Sequence, residues 1–134
     1  MRGFLLGTVA AVLMAGAAAA QDQSAITATI QSQIDAFLAD DFETAFTFAS
    51  PGIKRMFGSS ERFGMMVREG YPMVWRPGSV RYLELEEKAG GLYQKVLITD
   101  AGGVPHLLEY QMIETPEGWQ IAGVRILRAP EVGA

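Results

Sequence analysis

The sequence predicts an α+β fold in which N-terminal helices pack on a curved four-stranded antiparallel sheet. Three observations predict it. From Ile26 to Gly70 the apolar residues recur at three- and four-residue steps, the spacing of a helix face. Beyond Pro77-Gly78 the period becomes two, the spacing of a strand. The segments of that second half are separated by short Gly- and Pro-containing stretches of hairpin length. Helices followed by a meander give two layers, with the helices on one face of the sheet. A twisted sheet that curls around helices makes a cone with a pocket between the layers.

The chain opens on a segment of another kind. Arg2 supplies a positive start, an apolar run extends from Phe4 to Ala15, and Ala18-Ala19-Ala20 follows as a small-residue cleavage pattern. The expectation is a secretion signal over 1–20, cleaved after Ala20, with a single domain over 21–134 and a periplasmic or secreted location. The apolar run is short for a bilayer core, which needs about 20 apolar residues, so no stable membrane insertion is expected after cleavage. The 134 residues include no cysteine. That excludes a lipid-anchored cysteine, a disulfide framework, a thiolate nucleophile and a cysteine zinc site. The domain must hold together by its packed core. A net charge of −4, more acidic once Arg2 is removed, argues against nucleic acid as a partner, because binding there demands a basic face.

The elements follow in order. Ile26, Ile30, Ile34, Phe37 and Leu38 form one helix face, with Asp22 or Ser24 as its N-cap. Asp40-Asp41 interrupts the pattern, and both carboxylates suit a helix N-terminus; Asp41 starts a second helix carrying Phe42, Ala45, Phe46 and Ala49. Ser50-Pro51 ends that helix and restarts the chain, serine as cap and proline at the first helical position. A short turn holds Ile53, Met56 and Phe57. Ser59 or Ser60 then opens a helix bearing Phe63, Met66 and Val67, which Gly70 closes. Four strands are expected at 79–87, 92–99, 104–114 and 119–128. Their separators are Ala89-Gly90-Gly91, Ala101-Gly102-Gly103 and Thr115-Pro116-Glu117-Gly118. The paired glycines sit in no phosphate-binding pattern. Pro105 belongs on an edge or at a bulge, since it cannot donate to a ladder.

The run Ala45-Phe46-Thr47-Phe48-Ala49-Ser50-Pro51, with Ile53, Phe57-Gly58, Phe63, Met66-Val67 and Tyr71, resembles a bacterial family catalogued as domain of unknown function 4864. Tyr110, Trp119 and Ile121-Ala122-Gly123-Val124 fit its C-terminal half. The resemblance covers nearly all of the chain after the leader. It implies an exported protein with a cone fold similar to nuclear transport factor 2, and it implies no activity. Folds of this kind host isomerases, dehydratases, hydrolases and binding proteins alike, so function must be argued from the site.

The candidate residues divide into four groups. His106 and Tyr110 share one face of the third strand, and His106 is a general base if that face lines the cone. It is a partly solvated strand-end residue otherwise, and no partner that orients its imidazole is evident. Glu84, Glu86 and Glu87 read as a solvated sheet edge, and Asp35 as an exposed helix position. Met65, Met66, Met73 and Met112 with His106 are imaginable as a soft copper site, but methionine at these spacings is core filler, so no metal and no cofactor are expected. The segment Tyr71-Pro72-Met73-Val74-Trp75-Arg76-Pro77-Gly78 crosses the open end of the cone. Either Tyr71 and Trp75 close an apolar pocket near Met66, with Arg76 at the mouth for a carboxylate or phosphate, or the segment plugs the cone as core.

The leading expectation is a non-catalytic domain binding a small apolar or amphipathic ligand or a protein partner, with Tyr71, Trp75, Arg76, Met66, His106 and Tyr110 as ligand-binding candidates. The alternatives are a small cone-fold enzyme using His106 and Tyr110 for acid-base chemistry, and a homodimer through the sheet face. Leu92, Val96 and Ile98 facing one way and Tyr93 and Leu97 the other favour the last of these.

Overall fold

The structure, a computed structural model, describes residues 2–127, with side chains described from residue 19 onward. Most side chains of the expected leader therefore lie outside the described residues, as does Arg128 at the end of the fourth expected strand. Five helices precede four strands: α1 Arg2–Leu38, α2 Phe42–Thr47, α3 Pro51–Phe57, α4 Ser60–Gly70, α5 Pro72–Trp75, β1 Pro77–Lys88, β2 Gly91–Asp100, β3 Pro105–Thr115 and β4 Gly118–Leu127. The strands form one antiparallel sheet in the order β1-β2-β3-β4. Among the described residues no helix is long and apolar enough to cross a membrane.

Helix α1 does not begin at Asp22 or Ser24 as expected; it is continuous through both. The alanines of 17–20 are the strongest helix formers, and no glycine or proline separates them from Leu38. Ile26, Ile30, Ile34 and Phe37 are fully buried, whereas Leu38 is 47% exposed. A row of four-residue steps drifts about 40° around the helix per step. By Leu38 it has rotated off the stripe, while Phe37 falls back onto it.

Local capping shapes the helical half. Asp41 accepts from the Thr44 amide at 3.1 Å and opens α2. Ser50 accepts from the Ile53 amide and opens α3, so the expected short turn is a two-turn helix, closed by Gly58 at φ 77. Ser59 caps α4 through the Arg62 amide. Helix α2 stops short of Ala49, which instead forms a parallel bridge with Ile121 of β4. The Ser50 amide donates to the Ile121 carbonyl and the Ile121 amide to the Phe48 carbonyl, each at 2.8 Å. This crossing covers part of the free edge of β4, a site otherwise open to pairing with another chain.

The three strand connections are tight. Ala89 and Gly90, at φ 51 and 77, form a two-residue turn between Lys88 and Gly91. Pro105 is neither on an edge strand nor at a bulge: it is the first residue of β3, an inner strand, opposite Thr99. That position also frees it from donating to the ladder. The register shifts lie elsewhere, between Pro77 and Ser79 and between Tyr82 and Leu85 on β1, and beside Gln111 and Met112 of β3. Glu84 and Glu86 face outward on edge strand β1, where both pair with Lys95, at 3.2 and 2.9 Å.

The core lies between the helices and the inner sheet face. Val96, Ile98, Leu108, Tyr110 and Met112 meet Ile30, Phe37, Phe63, Val67 and Val74 there. Phe63 gathers the aromatic residues of the helical layer, with ring centroids 5.9 Å from Phe37, 5.2 Å from Phe46 and 5.7 Å from Phe57.

Candidate functional site

A cavity of about 240 Å³ opens between the helical layer and the sheet. Its floor is built by buried side chains: Phe37 of α1, Phe63 and Val67 of α4, Val74 of α5, Tyr110 of β3 and Ile121 of β4. Its rim carries half-buried or exposed residues, namely Ile53, Met56 and Phe57 of α3, Met66 of α4, Tyr71, and Gly123 and Val124 of β4. The mouth therefore lies between the α3–α4 corner and the middle of β4. Met56, 73% exposed, stands at it.

Among the described residues no Asp, Glu, Lys, Arg or His lines this cavity. Its polar groups are Gln33, Tyr71 and Tyr110. Gln33 donates its amide to the Ala45 carbonyl at 3.1 Å, and Tyr71 donates its hydroxyl to the Val124 carbonyl at 3.0 Å. Tyr110 is fully buried, and its hydroxyl has no hydrogen-bond partner among the described residues. Burial, reinforced by the nearby Tyr82 and Tyr71, pushes the Tyr110 phenol well above its ordinary pKa. It is therefore neutral at physiological pH and keeps its proton as a donor.

The expected site residues separate into two sets. Tyr110, Tyr71 and Met66 meet at the cavity. Trp75, Arg76 and His106 do not line it. Trp75 packs outside, its indole between the guanidinium groups of Arg76 at 4.0 Å and Arg68 at 4.8 Å. Its indole N–H donates to Asp40 at 3.1 Å. Arg76 is spent on structure rather than poised for an anion: it donates to the Phe37 and Trp75 carbonyls and pairs with Asp40 at 2.8 Å. Asp40 thus caps no helix. It sits at φ 54 and anchors α5 to the end of α1, and the hydrogen bonds from Arg76 and Trp75 hold its carboxyl below the usual range. Both readings of the Tyr71–Gly78 segment are partly realised. Met73 and Val74 plug the core, while Tyr71 borders an open cavity.

His106 does have an orienting partner. Its Nε2 lies 2.9 Å from Asp100 Oδ2, and Asp100 Oδ1 also accepts from the Gly102 and Val104 amides. The imidazole and these amides lower the Asp100 pKa. This pair ties the β2–β3 turn, about 13 Å along the strand from Tyr110 at four residues' separation. Tyr110 lines the cavity and His106 does not, so the cavity does not bring the expected His106–Tyr110 pair together. Among the described residues no three His, Asp or Glu side chains converge on a metal position.

Sequence reasoning missed Gln33, Ile53 and Phe57 as cavity residues. Phe57 and Ile53 fall on one face of α3 once that segment is helical, and the Ser50-Pro51 cap was the available signal. Gln33, between Ile30 and Ile34 on the buried side of α1, had none.

The family described as domain of unknown function (DUF4864) matches residues 19–134. No curated protein matches the chain. Among solved structures, the phospholipid-binding protein from Ralstonia solanacearum, determined in complex with a phospholipid, is similar over 78% of this chain and 76% of its own. The TM-score is 0.48 and the sequence identity 12%.

Proposed function

The chain belongs to the DUF4864 family, and we propose that it is an exported, non-catalytic protein that binds a small uncharged apolar or amphipathic molecule between its helices and its sheet. One observation carries this reading: a cavity of about 240 Å³ with a mouth, walled by apolar side chains and, among the described residues, lined by no charged group. A domain with a single core gains stability by filling such a space, because every unfilled volume forfeits packing contacts. An uncharged lining excludes ionised ligands, which pay several kcal/mol when desolvated without a partner. The volume is somewhat below the roughly 300–1,000 Å³ of drug-sized sites. A non-catalytic role fits the same lining, whose titratable groups among the described residues are two tyrosines, one of them pushed still further from ionisation by burial.

Export rests on the Arg2, apolar-run and Ala18-Ala19-Ala20 pattern, and it places the ligand in the periplasm or outside the cell. One experiment tests both parts. The full chain is expressed in a secreting bacterium, recovered from the periplasm and weighed by native mass spectrometry. The expected mass is that of a chain starting at Gln21, plus a small molecule released on denaturation. Protein retained in the cytoplasm with Met1 intact sinks export. Empty protein whose melting temperature no neutral lipid or metabolite shifts sinks binding.

A further inference from the structure

Three tyrosines point inward from around the sheet and α5, and two have spent their hydroxyl protons. Tyr71 donates to the Val124 carbonyl at 3.0 Å and Tyr82 to Gln31 Oε1 at 2.8 Å. Tyr110, between them and fully buried, donates to nothing among the described residues, although it lines the cavity. A buried donor left unmade costs its full desolvation penalty, and a phenol is neutral and donating at physiological pH, a state that burial reinforces. We infer that the Tyr110 hydroxyl is the polar anchor of the ligand, and that the cavity takes an uncharged single-chain aliphatic molecule through a carbonyl oxygen.

Each part of that assignment has its own support. A donor selects an acceptor, and a carbonyl oxygen offers lone pairs without a proton that itself needs a partner. A carboxylate also accepts, but among the described residues no cation lines the cavity to neutralise it. The cavity's 240 Å³, at about 30 Å³ for a water-sized group, holds roughly eight non-hydrogen atoms. That is one short chain or the end of a longer one, and too little for two chains side by side. The mouth at Met56 and Met66 leaves room for a longer tail to emerge past flexible side chains.

This inference rests on the cavity reading above, and its test separates the two. Methyl pentyl ketone, octane and heptanoate are titrated at pH 7 into the wild-type protein and into Tyr110→Phe, followed by chemical-shift changes of the cavity methyl groups. The substitution removes one oxygen and keeps the ring. Ketone affinity is expected to fall about five- to tenfold in the variant, the equivalent of one neutral hydrogen bond. Octane affinity is expected to hold or improve, and heptanoate to bind neither form. An unchanged ketone affinity in Tyr110→Phe, or equal losses for ketone and octane, overturns the anchor while leaving the cavity reading intact. Tight heptanoate binding overturns the uncharged class. If neither ketone nor octane shifts the wild-type cavity residues, the cavity reading falls and the anchor with it.

Discussion

Glu109 carries a charge on the outer face of the sheet and yet is only 2% exposed. Strand alternation places it outward, but alternation does not say what lies over it. Lys88 reaches it from the end of β1 at 2.7 Å, with its ammonium 5.0 Å from the Tyr93 ring, and Arg125 reaches it from β4 at 2.8 Å. Burial pushes its carboxyl pKa up, but the hydrogen bonds from Lys88 and Arg125 outweigh burial and leave it below the usual value of 4.5. A carboxylate whose folded pKa is depressed stabilises the fold above its unfolded pKa, and that contribution is lost as pH falls through the folded value. The partners are unequal in burial: Lys88 and Arg125 are 42% and 65% exposed and can return to water. Replacing both with methionine strands the carboxylate and is expected to cost about 3 kcal/mol at pH 7, the low end for an uncompensated buried charge. Glu109→Gln is expected to cost less. Urea denaturation at pH 7 and at pH 4 checks this, because protonating the stranded carboxyl relieves the penalty; an equal loss at both pH values contradicts it. The same distinction explains which site residues could be read in advance. Tyr110 and Tyr71 follow from strand parity and helix exit. The Trp75–Asp40 and Arg76–Asp40 bonds join residues 35 and 36 positions apart, a separation at which no local pattern speaks.

Helices α2 and α4 meet at a glycine. A Cβ on Gly64 would run into the Phe42 ring, and that ring is itself packed 6.2 Å from Phe37. Gly70, at the other end of α4, has no heavy atom within 4 Å of the same construction. Alanine raises intrinsic helix stability by up to about 1 kcal/mol over glycine at either place, but overpacking costs roughly 1–3 kcal/mol. Gly64→Ala is therefore expected to lower stability by about 1–2 kcal/mol and Gly70→Ala to leave it unchanged or slightly raised, measured by urea midpoints. A Gly64→Ala protein as stable as the parent contradicts the close approach. At this scale the sequence speaks clearly where the physics is local. The caps at Asp41, Ser50 and Ser59 and the glycine-bearing hairpins are legible because each is settled within about four residues. The start of α1, the helical state of α3 and the Ala49–Ile121 bridge are not, because propensity, a neighbouring element or a sheet edge decides them.

Among the described residues the helices cover one face of the sheet only, so the buried apolar core forms between two layers. How far the layers stand apart is set by the Phe63 cluster and by the bridge that pins Ala49 to β4. Neither has a signature in the sequence, which is why the cone was legible and the cavity's size was not. An open cavity in a small domain opposes stability, and its retention alongside an otherwise packed core is the feature a binding protein requires. Val67 tests this trade directly. It is 5% exposed, lies in the middle of α4 and lines the cavity floor. Leucine there adds one methylene, worth about 0.8 kcal/mol when buried, and removes a β-branched residue from a helix interior. The ligand-free Val67→Leu protein is expected to melt roughly 3–5 °C above the parent. Methyl pentyl ketone at a hundred times its dissociation constant stabilises the parent by about 2.7 kcal/mol. At the same ketone concentration, the rise in Tm should be smaller in the variant, because part of the space for roughly eight atoms is gone. Opposite movement of the two quantities, read by thermal melts with and without the ketone, identifies the cavity as a site kept open at the expense of the fold. A variant that gains stability and keeps the full ligand response shows that the ligand binds elsewhere.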